Sequence, residues 1–285
     1  MMMMRRFEYG PLEIGYGTWG DPQNPPLLLL HGFTGSHRSW QESTRDWATQ
    51  YWVVAPDLPG HGASPAPDKC EELSVAHTAE ALAALMASLS SQRYRLVGYS
   101  FGGRIACHLL RDHGSQVHCA VLESTSPGIN DPVVRAERQR QDERLAQNIK
   151  QRGLDWFIPY WNSLPLFASQ RSLPAARRKA QDDERRGHQA FGLAQSLYGA
   201  GTGTQDSLWP ILPTISVPLL IITGALDAKY NQIGGAMHAA FRQSQWVSVK
   251  GAGHNVHLER PEEFLRVVSP FLSQSTYILE GMDQP

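Results

Sequence analysis

The chain has 285 residues, 41% of them hydrophobic and 19% charged, and 26 Lys and Arg against 27 Asp and Glu leave a formal net charge of -1. That length suits one large α/β domain or a core carrying an insertion. The near-balance of charge gives no electrostatic footing for nucleic acid or an anionic membrane surface.

Aliphatic runs such as Leu27–Leu30 stay far short of a membrane span. The start, "MMMMRRFEYG", lacks the apolar stretch and cleavage site of a secretory signal. Cys70, Cys107 and Cys119 form neither a CxxC pair nor a disulfide framework. These features lead us to expect a cytoplasmic protein without membrane insertion or a metal site.

In chain order, short β-like runs alternate with helical patterns, which predicts a mostly parallel sheet flanked by helices. "PPLLLLHGF" ends in a glycine turn, and "YWVVAPDLPGHGAS" repeats the design. "YRLVGYS" leads into the helix-like "FGGRIACHLLRDHG", closed by Gly114. "VHCAVLEST", "VPLLIITGALD" and "QWVSVKGAGHNVH" give three more apolar runs. Each ends in polar residues, at the strand ends where open α/β sheets hold their ligands. Between the first of these three and the other two, the text turns helical and charged, as in "RAERQRQDERLAQNIKQRG", with the aromatic "WFIPYWNSLPLF" inside it. We therefore expect a helical cap at 129–207 inserted into a core made of 1–128 and 208–285, with a frayed tail from Thr276.

Gly98-Tyr99-Ser100-Phe101-Gly102 reads as G-x-S-x-G, placed between a strand and a helix. In that context a sharp turn lifts the serine oxygen clear of the sheet, and the helix N-terminus offers free N–H groups to a developing anion. The competing reading is a glycine-rich turn with an incidental serine. A serine needs a base. His254, just after the last strand, is the best placed, and Asp227, after the previous strand, would hold its tautomer. Asp57 and His61 in "APDLPGHGAS" are rival members, and Glu123 is a rival acid. His257, three residues after His254, could suggest a metal pair, but no third ligand motif accompanies it. The backbone N–H groups of Phe33 and Phe101 are the natural oxyanion donors, with His31 a packing and hydrogen-bonding residue.

Ten of the twelve basic residues between Ile129 and Ser207 are Arg, the side chain suited to planar two-pronged carboxylate contacts. Most suit solvated helix faces. Arg104 lies one helical turn past Ser100, close enough to put charge at the site. Trp156, Tyr160 and Trp161 could line an apolar wall or pack the cap internally.

The motifs as a whole resemble the α/β-hydrolase superfamily. The phrases "LESTSPGINDPVVRAERQRQDERLAQNI", "WNSLPLFASQRSLP", "SLYGAGTGTQDSLW" and "GAGHNVHLE" are similar to the 2-succinyl-6-hydroxy-2,4-cyclohexadiene-1-carboxylate synthases of menaquinone and phylloquinone biosynthesis. That resemblance implies a lyase without cofactor or metal. It would eliminate pyruvate from 2-succinyl-5-enolpyruvyl-6-hydroxy-3-cyclohexene-1-carboxylate, a small tricarboxylate, using Ser100, His254 and Asp227 to abstract a proton. It further implies that Arg104, Arg138 and Arg185 clamp the carboxylates, with Tyr99 and Trp161 at the site. A hydrolase of small esters or carbon–carbon bonds would share the triad but not need Arg138 or Arg185. A ligand-binding relative would have no use for the triad.

Overall fold

The computed structural model describes residues 3–274; the tail expected from Thr276 lies outside them. Its sheet has eight strands in the order β1-β2-β4-β3-β5-β6-β7-β8. They are β1 (Met3–Tyr9), β2 (Leu12–Trp19), β3 (Pro26–Leu30), β4 (Trp52–Pro56), β5 (Tyr94–Tyr99), β6 (Val117–Glu123), β7 (Leu219–Gly224) and β8 (Ser244–Val249). From β4 to β8 all pairings are parallel, whereas β1 and β2 pair antiparallel with each other and β2 pairs antiparallel with β4.

Period-two alternation sorts the strand side chains onto two helical layers. Leu28, Leu30, Leu96 and Leu122 pack with α2 (Val75–Leu89), α3 (Phe101–His113) and α7 (Ala228–Ala240). Leu27, Leu29, Val97 and Val121 face the other way, onto α1 (Gln41–Trp47), α8 (Val256–Glu259) and α9 (Pro261–Ser273). Both faces are covered, so the central strands read as continuous apolar runs.

The N-terminal hairpin is the part that patterning missed. β1 is mostly exposed and starts from Met and Arg without alternation. β2 carries Gly15 and Gly17, which weaken a strand signal.

Between β6 and β7 the chain is helical: α4 (Pro132–Ser163), α5 (Ala175–Arg186) and α6 (Ala190–Ala200). Asp131 caps α4 by accepting from the Val133 and Val134 N–H groups, with Pro132 at the first helical position. The helix breaks at Gly153 (φ 72°) and resumes through the aromatic segment. Ala146, Ile149, Phe157, Leu193 and Leu197 form a small core here, with Phe33 of the sheet domain packed against it. Among the described residues no helix is long and apolar enough to cross a membrane.

A buried polar network ties the loops after β3 and β4 together. Asp57 accepts from the His37 N–H and Nδ1 and from the Ala63 N–H. Burial alone would raise its pKa, but the bond and charge of His37 and the charge of His31 bring it down to about 2. His31 accepts the Leu58 N–H at Nε2 (2.8 Å), so Nδ1 carries the proton and donates to the Gly32 carbonyl. The ring is fully buried, and burial lowers its pKa to about 4 despite the nearby Asp57 charge.

The folded state thus keeps His31 neutral where the unfolded chain is protonated. Between pH 6.5 and about 4 the unfolded state binds more protons, so stability falls as pH falls, by about 1.4 kcal/mol per pH unit for a fully uncoupled histidine. Denaturant titrations at pH 7 and 5 are expected to show this slope reduced in His31→Gln, even though that variant starts less stable.

Candidate active site

Ser100 sits at the β5–α3 turn with φ 48° and ψ -104°. Thr34 (φ 71°) and Ser124 (φ 44°), which follow β3 and β6, share this left-handed strain. Each such residue costs on the order of 1–3 kcal/mol unless its surroundings hold it. The Ser100 N–H donates to the Glu123 carbonyl (2.8 Å), and the Ser100 carbonyl accepts from Thr125 Oγ1 (2.7 Å) and the Arg104 N–H. The flanking glycines allow backbone crowding: a Cβ at Gly102 would strike the Leu30 carbonyl, and one at Gly98 would meet the Gly102 carbonyl at 2.7 Å.

The turn presents Ser100 Oγ to His254 Nε2 at 3.0 Å, and His254 Nδ1 lies 2.8 Å from Asp227 Oδ2. With Asp227 as acceptor, Nδ1 carries the proton and Nε2 is free to take one from serine. Asp227 also caps α7 through its other oxygen, which accepts from the Tyr230 N–H. The His254 loop is pinned by Glu259, whose carboxylate accepts from the Gly253 and Asn255 N–H groups.

Glu123 is committed elsewhere. It accepts from the His257 N–H and pairs with His257 Nδ1 at 2.7 Å, while the His257 ring stacks on Trp40. Asp57 and His61 hydrogen-bond neither Ser100 nor His254 among the described residues; Asp57 shapes its loop, as above. Nor do three or more His, Cys, Asp or Glu side chains there come together as a metal would need.

A cavity of about 500 Å³ opens above Ser100. Phe33, Phe101, Tyr99, Trp161, Arg104, Arg138 and Arg185 all line it. The Phe33 and Phe101 N–H groups have no acceptor among the described residues, and the latter opens α3, where helix geometry leaves N–H groups unpaired. Tyr99 lies between the rings of His254 and His257, and burial pushes its phenol well above the usual range. Trp161 packs against Phe33, Phe157 and Phe167, forming the apolar wall. Trp156 and Tyr160 do not join it. They stack on each other at 5.0 Å, with Tyr160 exposed and Arg152 over Trp156.

The cations differ in their partners. Arg104 is buried and donates to the Ala200 and Gly201 carbonyls and to Gln205 Oε1, with no carboxylate in contact among the described residues. Burial, with repulsion from Arg138, lowers its pKa to about 10, so it stays charged at neutral pH. Arg185 is buried and bonds Asn162 Oδ1 (2.5 Å), with Asp182 at 3.4 Å, while neighbouring Arg186 points outward. Arg138 pairs with Asp142 through Nε alone, leaving its terminal nitrogens without a partner among the described residues.

Residues 25–261 match the family described as alpha/beta hydrolase fold. A Bacillus subtilis (strain 168) protein, provisionally named 2-succinyl-6-hydroxy-2,4-cyclohexadiene-1-carboxylate synthase, is 37% identical over 254 residues, covering 89% of this chain and 92% of its own length. A Serratia proteamaculans (strain 568) protein with that synthase name is 32% identical over 259 residues, covering 89% and 95%. This chain belongs to the 2-succinyl-6-hydroxy-2,4-cyclohexadiene-1-carboxylate synthase family. The structure of MenH from S. aureus superposes with a TM-score of 0.86 at 29% identity, covering 93% of this chain and 98% of the other.

Sequence reasoning passed over three residues beside the triad of this synthase-family chain. Tyr230 places its ring 4.5 Å from that of His254, and Phe167 lies across from it at 6.0 Å. Lys229 lines the cavity, and burial and then Arg138 lower its pKa. Lys229 and Tyr230 stand two and three positions after Asp227, on the first turn of the helix that Asp227 caps, and that adjacency was a usable signal. Phe167, in the helical segment between β6 and β7, had none.

The two acids separate by experiment. Asp227→Asn is expected to cut turnover by about 10⁴-fold, as loss of the tautomer-holding acid does elsewhere, with little change in unfolding midpoint. Glu123→Ala, which leaves buried His257 unpaired, is expected to lower stability by about 3 kcal/mol. Its folded fraction should keep turnover within about tenfold, since Glu123 touches no triad side chain.

Proposed function

We propose that this chain eliminates pyruvate from 2-succinyl-5-enolpyruvyl-6-hydroxy-3-cyclohexene-1-carboxylate, giving 2-succinyl-6-hydroxy-2,4-cyclohexadiene-1-carboxylate in menaquinone or phylloquinone biosynthesis. The observation that carries this reading is that three arginines, Arg104, Arg138 and Arg185, line one cavity with Ser100 and His254. A buried cation such as Arg104, held only by neutral acceptors, carries a desolvation cost that an anionic ligand offsets. A small substrate with three carboxylates matches that surplus of charge.

In this reading the Ser100 oxygen takes a carbon-bound proton as its own passes to His254 Nε2, and Asp227 stabilises the imidazolium. The charge left on carbon spreads into the adjacent conjugated system. The ring double bond then forms as the carbon–oxygen bond to the enolpyruvyl group breaks, and the departing enolate takes up a proton to become pyruvate. Water is neither consumed nor produced. The N–H groups of Phe33 and Phe101 and the three arginines stabilise the developing charge, where one oxyanion donor is typically worth about 10²–10³ in turnover. Tyr99 and Trp161 shape the apolar side, and residues 129–207 act as a cap that keeps water out. We place the reaction in the cytoplasm, a reducing compartment in which the free thiols Cys70, Cys107 and Cys119 are at home.

The test is pyruvate release, read by coupling to lactate dehydrogenase, from substrate generated in situ. The native protein should turn over, Ser100→Ala should lose at least about 10³-fold, and Arg138→Ala should lose about 10- to 100-fold in kcat/KM, the worth of a charged hydrogen bond. Brisk cleavage of a p-nitrophenyl ester with background pyruvate would instead assign the same triad to hydrolysis.

A further inference from the structure

The loop carrying the Phe33 donor is held from the cap. Thr34, the next residue, is β-branched and left-handed (φ 71°), a conformation that such a side chain adopts only where its surroundings impose it. Its restraints come largely from the end of α5 and the turn after it. The Thr34 carbonyl accepts from His188 Nε2 at 2.9 Å, and Thr34 Oγ1 lies 3.4 Å from Arg185 Nε. Farther along the loop, Ser36 and Ser39 both donate to the Glu184 carboxylate.

His188 is the most constrained of these three. Its Nδ1 accepts the Gly62 N–H at 3.0 Å, so Nε2 must carry the proton it gives Thr34. The ring therefore joins two core loops, after β3 and after β4, through one neutral tautomer. Burial favours that neutral form. The His188 ring also lies 5.5 Å from that of His61, which in turn packs 5.5 Å from Phe33 and 5.8 Å from Phe101. The His61 Nε2 is buried without a partner among the described residues, and its ring lies between that of His188 and those of both donor residues only as a packing contact.

We propose that His188 is a positioning residue that ties the helical insertion to the oxyanion loop, holding strained Thr34 so that the Phe33 N–H stays in register with Ser100. Arg185, which lines the cavity, also reaches Thr34 Oγ1 through Nε. This inference rests on the oxyanion role given to Phe33 in the proposed reaction.

The test compares the native chain with His188→Ala and His188→Gln, whose amide offers one acceptor and one donor. Three quantities are read: kcat and KM for pyruvate release, the rate at which a fluorophosphonate labels Ser100, and the melting temperature. His188→Ala should lower kcat and the labelling rate together by about 10- to 100-fold, with KM changed less than about threefold, and His188→Gln should recover most of both. An alanine variant with native kcat and labelling, a loss confined to KM, or a folded glutamine variant no better than alanine would overturn the proposal. Labelling needs the same N–H donors whatever the natural substrate is. A native protein that labels but releases no pyruvate therefore refutes the reaction, while the labelling ratio still judges His188.

Discussion

Everything at this site depends on one strained backbone position. Ser100 can hold its left-handed conformation only because its N–H, its carbonyl and the helix that follows are each held, by Glu123, Thr125 and the close approach to β3. The glycines of the elbow are the physical condition for that approach, since any Cβ at Gly102 would displace β3 itself. The strain is what aims the hydroxyl out of the sheet and toward His254.

Around that point the molecule keeps buried charge in two different ways. Beneath the site, acids and histidines are paired off: Asp57 with His37, and Glu123 with His257. Above it, Arg104 and Arg138 retain unspent capacity, and the cavity they line also holds Arg185. Paired charges stiffen loops, whereas incompletely paired cations keep donors free for a further hydrogen bond. The contrast explains why Glu123, although it follows the strand next to the elbow, is no rival to Asp227: its carboxylate is consumed by another histidine.

The strands from β3 to β7 were legible because each is an apolar run buried on both faces and closed by a turn, whereas the more exposed edge strand β8 was marked by Trp246, Val247 and Val249 just before its glycine turn. The N-terminal hairpin was not, since an exposed edge strand needs no apolar alternation and β2 tolerates glycine where Ala63 packs closely against it. The order Ser100, Asp227, His254 could be read because each stands just past a predicted strand. The aromatic segment was ambiguous for a different reason. Trp156, Tyr160 and Trp161 lie within two helical turns, and only the rotation of that helix after the break at Gly153 puts Trp161 against Phe33, leaves Trp156 half-buried on the core between the helices and exposes Tyr160.

Residue identity and order along the chain thus determined the parallel core, the elbow, the candidates for nucleophile, base and acid, and the concentration of arginines between β6 and β7. Tertiary structure decided which of those arginines line the cavity, which acid meets His254, and that Arg185 and His188 contact Thr34. Periodicity reports which side of an element is buried. Partnership between groups more than a hundred positions apart, such as the Thr34 carbonyl with His188 or the Ser36 hydroxyl with Glu184, is set by how the layers come together, and no local pattern encodes it.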